Sequence, residues 1–159
     1  METAGESMKT LGRLVREITG KELSSVRVDD WFYQYAQTIE VPTGPGRKES
    51  VIHEVCHWIV AEDWQRTSEH NLGYGHSSDG EADRDPRCTP AMMEHQERLT
   101  CHLQRMLYQF AGRTSPSSSP SCRGSRVTYV MSPEDIELVL ERAGQVGWGP
   151  LLDLVRARR

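Results

Sequence analysis

No stretch of this chain concentrates basic residues: 19 Lys and Arg are spread among 23 Asp and Glu, for a formal net charge of -4. A nucleic-acid binder ordinarily needs a basic face to offset phosphate charge, so no nucleic-acid partner is expected. The closing Arg156-Ala157-Arg158-Arg159 reads as a solvated helix end. Long apolar runs are missing too. None approaches the roughly 18 residues a spanning helix requires, and no membrane partner is expected. The acidic start, Met1-Glu2-Thr3-Ala4-Gly5-Glu6, lacks the apolar core of a secretory signal. Cysteine pairs of the Cys-x-x-Cys type are absent: Cys56, Cys88, Cys101 and Cys122 are scattered. They are expected to be reduced thiols of a cytoplasmic protein rather than a structural zinc site. Internal repeats are absent as well.

What remains is 159 residues, enough for one buried core, with 36% hydrophobic and 26% charged residues. Residues 7–23 carry Met8, Leu11, Leu14, Val15 and Ile18 at helical spacing, and Gly20 is placed to end that helix. The aromatic stretch 31–41 closes on a strand, Ile39-Glu40-Val41, before the Pro42-to-Gly46 turn. A helix is expected over 49–64, capped by Ser50 and striped with Val51, Ile52, Val55, Ile59 and Val60. The polar segment 67–90 is a long excursion, and such loops are often functional. A second long helix spans about 90–111. Residues 114–125 are Ser/Pro-rich and read as a linker. A strand at 126–131 and a helix opening on Ser132-Pro133-Glu134-Asp135 follow. Gly147-Trp148-Gly149-Pro150 breaks that helix before a short closing one. The expectation is a single, mostly helical α+β domain with a small sheet. Its metal-binding core would span 1–113 and a C-terminal segment, 126–159, would pack on it.

The chemistry concentrates in His53-Glu54-Val55-Cys56-His57. Residues four apart share a helix face, so His53 and His57 can chelate one Zn²⁺ or Fe²⁺ ion. Glu54 projects beside them, placed to act on water without being a ligand. An exposed helix carrying the pattern by chance would not need so apolar a stripe. Two histidines leave a site incomplete, since catalytic sites usually have three protein ligands. His70, His76, Glu94, His95, Glu97 and His102 are the downstream candidates. Glu94 and Glu97 share a face of the second helix at the edge of its apolar stripe, where a charge needs a partner or a metal. The spacing by itself leaves the two open.

At these residues the chain resembles the bacterial elongation factor P hydroxylases, over about 51–112. That family's metal helix, His-Glu-x-x-His-Trp, an apolar stretch and Ala, corresponds to His53 through Ala61. Its Gly-Tyr, four residues and Asp-Gly corresponds to Gly73-Tyr74 through Asp79-Gly80. Its two glutamates three apart, followed by an apolar helix ending Ala-Gly, correspond to Glu94, Glu97 and Ala111-Gly112. Here Arg98-Leu99-Thr100-Cys101 replaces the usual Lys-Pro-Gln stretch, and the loop between Asp79 and Glu94 is longer. The resemblance implies a zincin-like fold, Glu97 as third ligand with Glu94 the alternative, and Tyr74, His76 and Asp79 framing the substrate opening. It implies O₂-dependent hydroxylation of a protein lysine side chain, so the partner would be a protein such as a translation factor. Two histidines and a carboxylate serve Fe²⁺ oxygenases and Zn²⁺ peptidases alike. A gluzincin-type peptidase with Glu54 as general base is therefore the alternative, and an inactive metal-binding module a third. Trp58 is expected to pack in the core, and Cys56 and Cys101 to act as buried small apolar residues.

Overall fold

The computed structural model describes residues 4–26, 33–34, 37–42, 46–68, 71–74, 84–113 and 131–157. The Ser/Pro-rich 114–125 segment, most of the expected 126–131 strand, and His70, His76 and Asp79 lie outside them.

Helix α1 covers Ala4–Thr19. Leu11, Leu14, Val15 and Ile18 recur at helical spacing and are all buried. Gly20 ends it as expected, at φ 74°, with its N–H returned to Arg16 O. The next residues correct the sequence expectation. Glu22–Val26 is a strand, β1, pairing in parallel with β3 (Thr38–Pro42), which also takes the two-residue β2 (Tyr33–Gln34) antiparallel. The sheet order is β1-β3-β2. β3 is the strand expected from Ile39-Glu40-Val41, and its Ile39 and Val41 are buried.

Helix α2, Arg47–Val60, carries the His-Glu-x-x-His residues. Its start corrects the expected cap. Gly46 stands at the N-cap with φ 81°, and Ser50 lies a turn inside the helix, its N–H bonded to Gly46 O at 3.0 Å. Val51, Ile52, Val55 and Ile59 are fully buried, each contributing about 1.5–3 kcal/mol by its removal from water. A helix C-terminus leaves carbonyls without internal partners. Arg66 meets that need at α2, donating to Trp58 O at 2.9 Å and Ile59 O at 3.0 Å. Arg142 donates to Ala61 O at 2.5 Å. At the other end Lys48 Nζ donates to Val155 O at 2.5 Å and also to Ala157 O, fastening α2 to the last helix.

A short helix α3, Asp63–Arg66, and a 3₁₀ turn, Asn71–Gly73, precede α4, Pro90–Phe110. Thr89 caps α4 by accepting from Met92 N at 3.2 Å, and Pro90 fits the first turn, where no N–H is needed. Helix α5, Pro133–Val146, starts at the expected cap, Ser132 accepting from Asp135 N. Gly147, at φ 109°, separates it from α6, Trp148–Arg156. Val139, Ala143, Leu151, Leu154 and Val155 join the same buried cluster as α1, α2 and α4. The architecture is a mostly helical α+β domain whose central contact is α2 against α4. Trp58 is partly buried against that cluster, with the Arg66 guanidinium 4.0 Å above its ring.

Candidate metal centre

Because α2 and α4 pack side by side, whatever α2 shows on its inner polar edge is answered by one turn of α4. His53 and His57 are four residues apart, with ring centroids 4.8 Å apart and planes at 81°. The facing residue is Glu97. Its Oε1 lies 3.2 Å from His53 Nε2 and its Oε2 lies 2.7 Å from His57 Nε2. One ligand atom from each of the three falls within 4.8 Å of the others. Glu94 points elsewhere: its side chain is 65% exposed and pairs with Arg98 at 2.5 Å, one turn along its own helix. Of the other candidates, His95 pairs with Asp135 at 3.3 Å and His102 lies beside Arg105. Neither belongs to the cluster.

The outward nitrogens of both imidazoles are held. His53 Nδ1 meets Gln104 Oε1 at 2.9 Å and His57 Nδ1 meets Thr100 Oγ1 at 3.3 Å. The second contact fixes a tautomer. Thr100 gives its own proton to Gln96 O at 2.7 Å, so its oxygen must accept from His57. Nδ1 then carries a proton, which leaves Nε2 as the nitrogen that would face a dication; without an ion, an Nε2–H can donate to Glu97 Oε2 at 2.7 Å. Such an arrangement orients imidazoles toward a dication. The electrostatics ask for positive charge at the same place. Burial would raise the Glu97 carboxyl, yet the charges and hydrogen bonds of His57 and His53 hold it well below the usual range. Burial disfavours a charged His53, but Glu97, with help from Glu54 and Gln104, leaves its pKa raised overall. Two nitrogens and a carboxylate with these supports suit a divalent ion. The centre is a zincin-like triad of His53, His57 and Glu97.

Around the triad stand groups with chemistry of their own. Glu54 is 6% exposed, and its charge acts on His53, Tyr74 and Lys21. Lys21 is buried where α1 gives way to β1, and burial pulls its ammonium down to about 8, with Arg66 adding to that and Glu54 opposing it. Tyr74 stands with its ring 6.0 Å from that of His57. Among the expected opening residues, Tyr74 is therefore beside the cluster.

The described cysteines divide into two kinds. Cys56 and Cys88 are free, and Cys56 is buried as expected. Cys101 is disulfide-bonded, which corrects the expectation of four reduced thiols. Its Sγ lies 3.7 Å from Glu97 Oε1. Thr100, Gln104 and Lys21 are neighbours of the centre that the sequence did not single out. For the first two a signal was present: Glu97, Thr100 and Gln104 follow at i, i+3 and i+7, a polar line beside the buried stripe of Leu99, Leu103 and Leu107. Lys21 carries no such mark.

No family model, curated protein or solved structure matches the chain. The class is set by the triad and by the helix pair that builds it. Among the described residues no helix is long and apolar enough to cross a membrane.

Proposed function

We propose that the chain is a metal-dependent enzyme whose single divalent ion is held by His53, His57 and Glu97, and that its reaction is hydroxylation of a protein lysine side chain. The observation that carries the metal-dependent reading is the convergence of two His Nε2 atoms and one carboxylate from two helices. What supports the hydroxylase over other chemistries is the sequence resemblance, whose described residues lie near one another. The His-Glu-x-x-His helix carries two of the candidate ligands, the Glu97 helix the third, and the Tyr74 ring stands 6.0 Å from that of His57. An Fe²⁺ ion bound there would supply activation of O₂, and a Zn²⁺ ion Lewis acidity.

The chain's own residues set the rest. Gln104 and Thr100 hold the imidazoles in register. Glu54, buried beside His53, is placed to hold or move a proton. That placement favours the second reading, a gluzincin-type zinc peptidase in which Glu54 takes a proton from water. Elemental analysis of protein purified without a metal-affinity tag separates the two. Iron together with O₂-dependent oxygen incorporation into a lysine of a protein substrate, a translation factor first, supports the hydroxylase. Zinc with peptide cleavage that is lost in Glu54→Gln supports the peptidase. Binding of no divalent metal by the intact chain would end both.

A further inference from the structure

A buried pair of glutamines beside the centre dictates the direction of the hydrogen bond made by the Tyr74 hydroxyl. Their orientation is anchored at the backbone, where donors and acceptors cannot exchange roles. Glu62 N–H can only donate, and it meets Gln65 Oε1 at 2.8 Å. Leu72 O can only accept, and it meets Gln65 Nε2 at 3.1 Å. Gln65 is thereby fixed at both ends. Facing it, Gln96 must present its oxygen to Gln65 Nε2, at 3.0 Å, and its nitrogen to Gln65 Oε1, at 2.8 Å. The two hydrogens of Gln65 Nε2 are then directed to Leu72 O and Gln96 Oε1, and where Gln65 also reaches the phenol it does so as a donor to the phenolic oxygen. The hydroxyl of Tyr74 lies against that same Gln96 Oε1. Turned away, it would set lone pair against lone pair; so it donates.

A phenol has one proton and this one is spent on Gln96. What Tyr74 offers to anything bound beside His57 is oxygen lone-pair density. The buried carboxylate of Glu54, which is not a ligand of the centre, acts on this phenol and adds to the negative potential there. We propose that Tyr74 serves the metal centre as a hydrogen-bond acceptor, selecting ligands that carry an amine, and that Gln65 and Gln96 are the positioning residues that impose this polarity. The proposal rests on the metal-centre reading above and deepens it, since it names a substrate chemistry. It also sets a sign: the phenol does not supply a proton to an oxyanion.

Zinc-loaded protein is titrated calorimetrically with two probes, acetohydroxamate and glycine hydroxamate, which share a chelating group and differ by an amine. The ratio of their affinities in each variant is the readout, so intrinsic differences between the probes cancel. Wild type is expected to favour glycine hydroxamate by about tenfold relative to Tyr74→Phe, the range of one hydrogen bond to a charged group. Acetohydroxamate should bind both equally. Gln96→Leu, which frees the phenolic proton, should lose the preference with Tyr74 still present, and Gln96→Glu, which keeps an acceptor, should retain it. A ratio unchanged in Tyr74→Phe overturns the proposal. So does weaker acetohydroxamate binding in that variant, which would mark the phenol as a donor. Metal analysis of each sample is read separately: a wild type that holds no zinc overturns the metal centre, and the proposal with it.

Discussion

Removing one or the other glutamate of α4 should have very different consequences for metal binding. In Glu97→Ala the centre loses the carboxylate that lies 3.2 Å and 2.7 Å from the two Nε2 atoms. Glu94→Ala loses only a solvated side chain paired with Arg98, an i,i+4 interaction of about 0.2–0.5 kcal/mol. With zinc at about 100 times its Kd, binding to the folded state alone adds about 2.7 kcal/mol. For a chain of 159 residues each kcal/mol moves Tm by roughly 2–4 °C. Wild type should therefore gain about 5–11 °C on adding zinc. Losing a residue that merely supports a ligand costs about 10–100-fold in affinity, and losing the ligand should cost at least that upper figure. At the same zinc concentration Glu97→Ala would then sit near its own Kd, where the gain falls to about 0.4 kcal/mol, or about 1–2 °C. Glu94→Ala should keep nearly the whole wild-type shift. Differential scanning fluorimetry with and without zinc measures this, each variant against its own metal-free Tm, because Glu97 also balances two imidazoles without metal. A full zinc shift in Glu97→Ala, or its loss in Glu94→Ala, would refute the assignment.

Other outcomes follow from neighbouring features. Gln104→Leu and Thr100→Val should each weaken zinc binding by about 10–100-fold while the far-ultraviolet circular dichroism stays unchanged, because they free an imidazole without removing it; wild-type affinity in both would show that the Nδ1 contacts do nothing. Gly73→Ala should destabilise the fold by about 2–5 kcal/mol, combining the cost of left-handed backbone with that of overpacking. Gly73 has φ 85°, and an added Cβ would meet Cys88 Sγ at 3.0 Å and Trp64 at 3.2 Å; an unshifted urea midpoint would contradict this. Lys21 gives a pH signature: its folded pKa, about 8, lies below the ordinary lysine value of 10.5, so the unfolded chain binds more protons in that window. Stability from this residue is therefore lowest below about pH 8 and recovers toward about pH 10.5. The wild-type minus Lys21→Met difference in unfolding free energy should rise across the window, and a flat or falling difference would count against a buried ammonium.

Several features were legible in the sequence because they depend on neighbours along the chain. His53 and His57 share a face through the helical repeat alone. Ser132-Pro133 announces a helix start, since the cap and the missing N–H are local matters, and the cap forms there. Gly20 ends α1 for the same kind of reason. Even here a local rule can be outbid. Ser50 had the chemistry of a cap, but Gly46 could take the left-handed turn that starts the helix earlier.

Residue spacing was enough to locate the ligand helix, its buried stripe of Val51, Val55 and Ile59, and a short list of partners for the two histidines. The choice of partner belongs to the packing of helices: Glu94 and Glu97 are one turn apart, and the rotation of α4 against α2 sends one to the imidazoles and the other to solvent. β1 escaped notice because a parallel strand is made by its pairing with a distant segment, here β3, with no hairpin turn to announce it. Lys21 beside Glu54, and the Gln65–Gln96 pair that orients Tyr74, depend on several elements arriving together. Spacing along a chain fixes the phase of side chains within one element, whereas contacts across elements depend on rotations and offsets that packing alone sets.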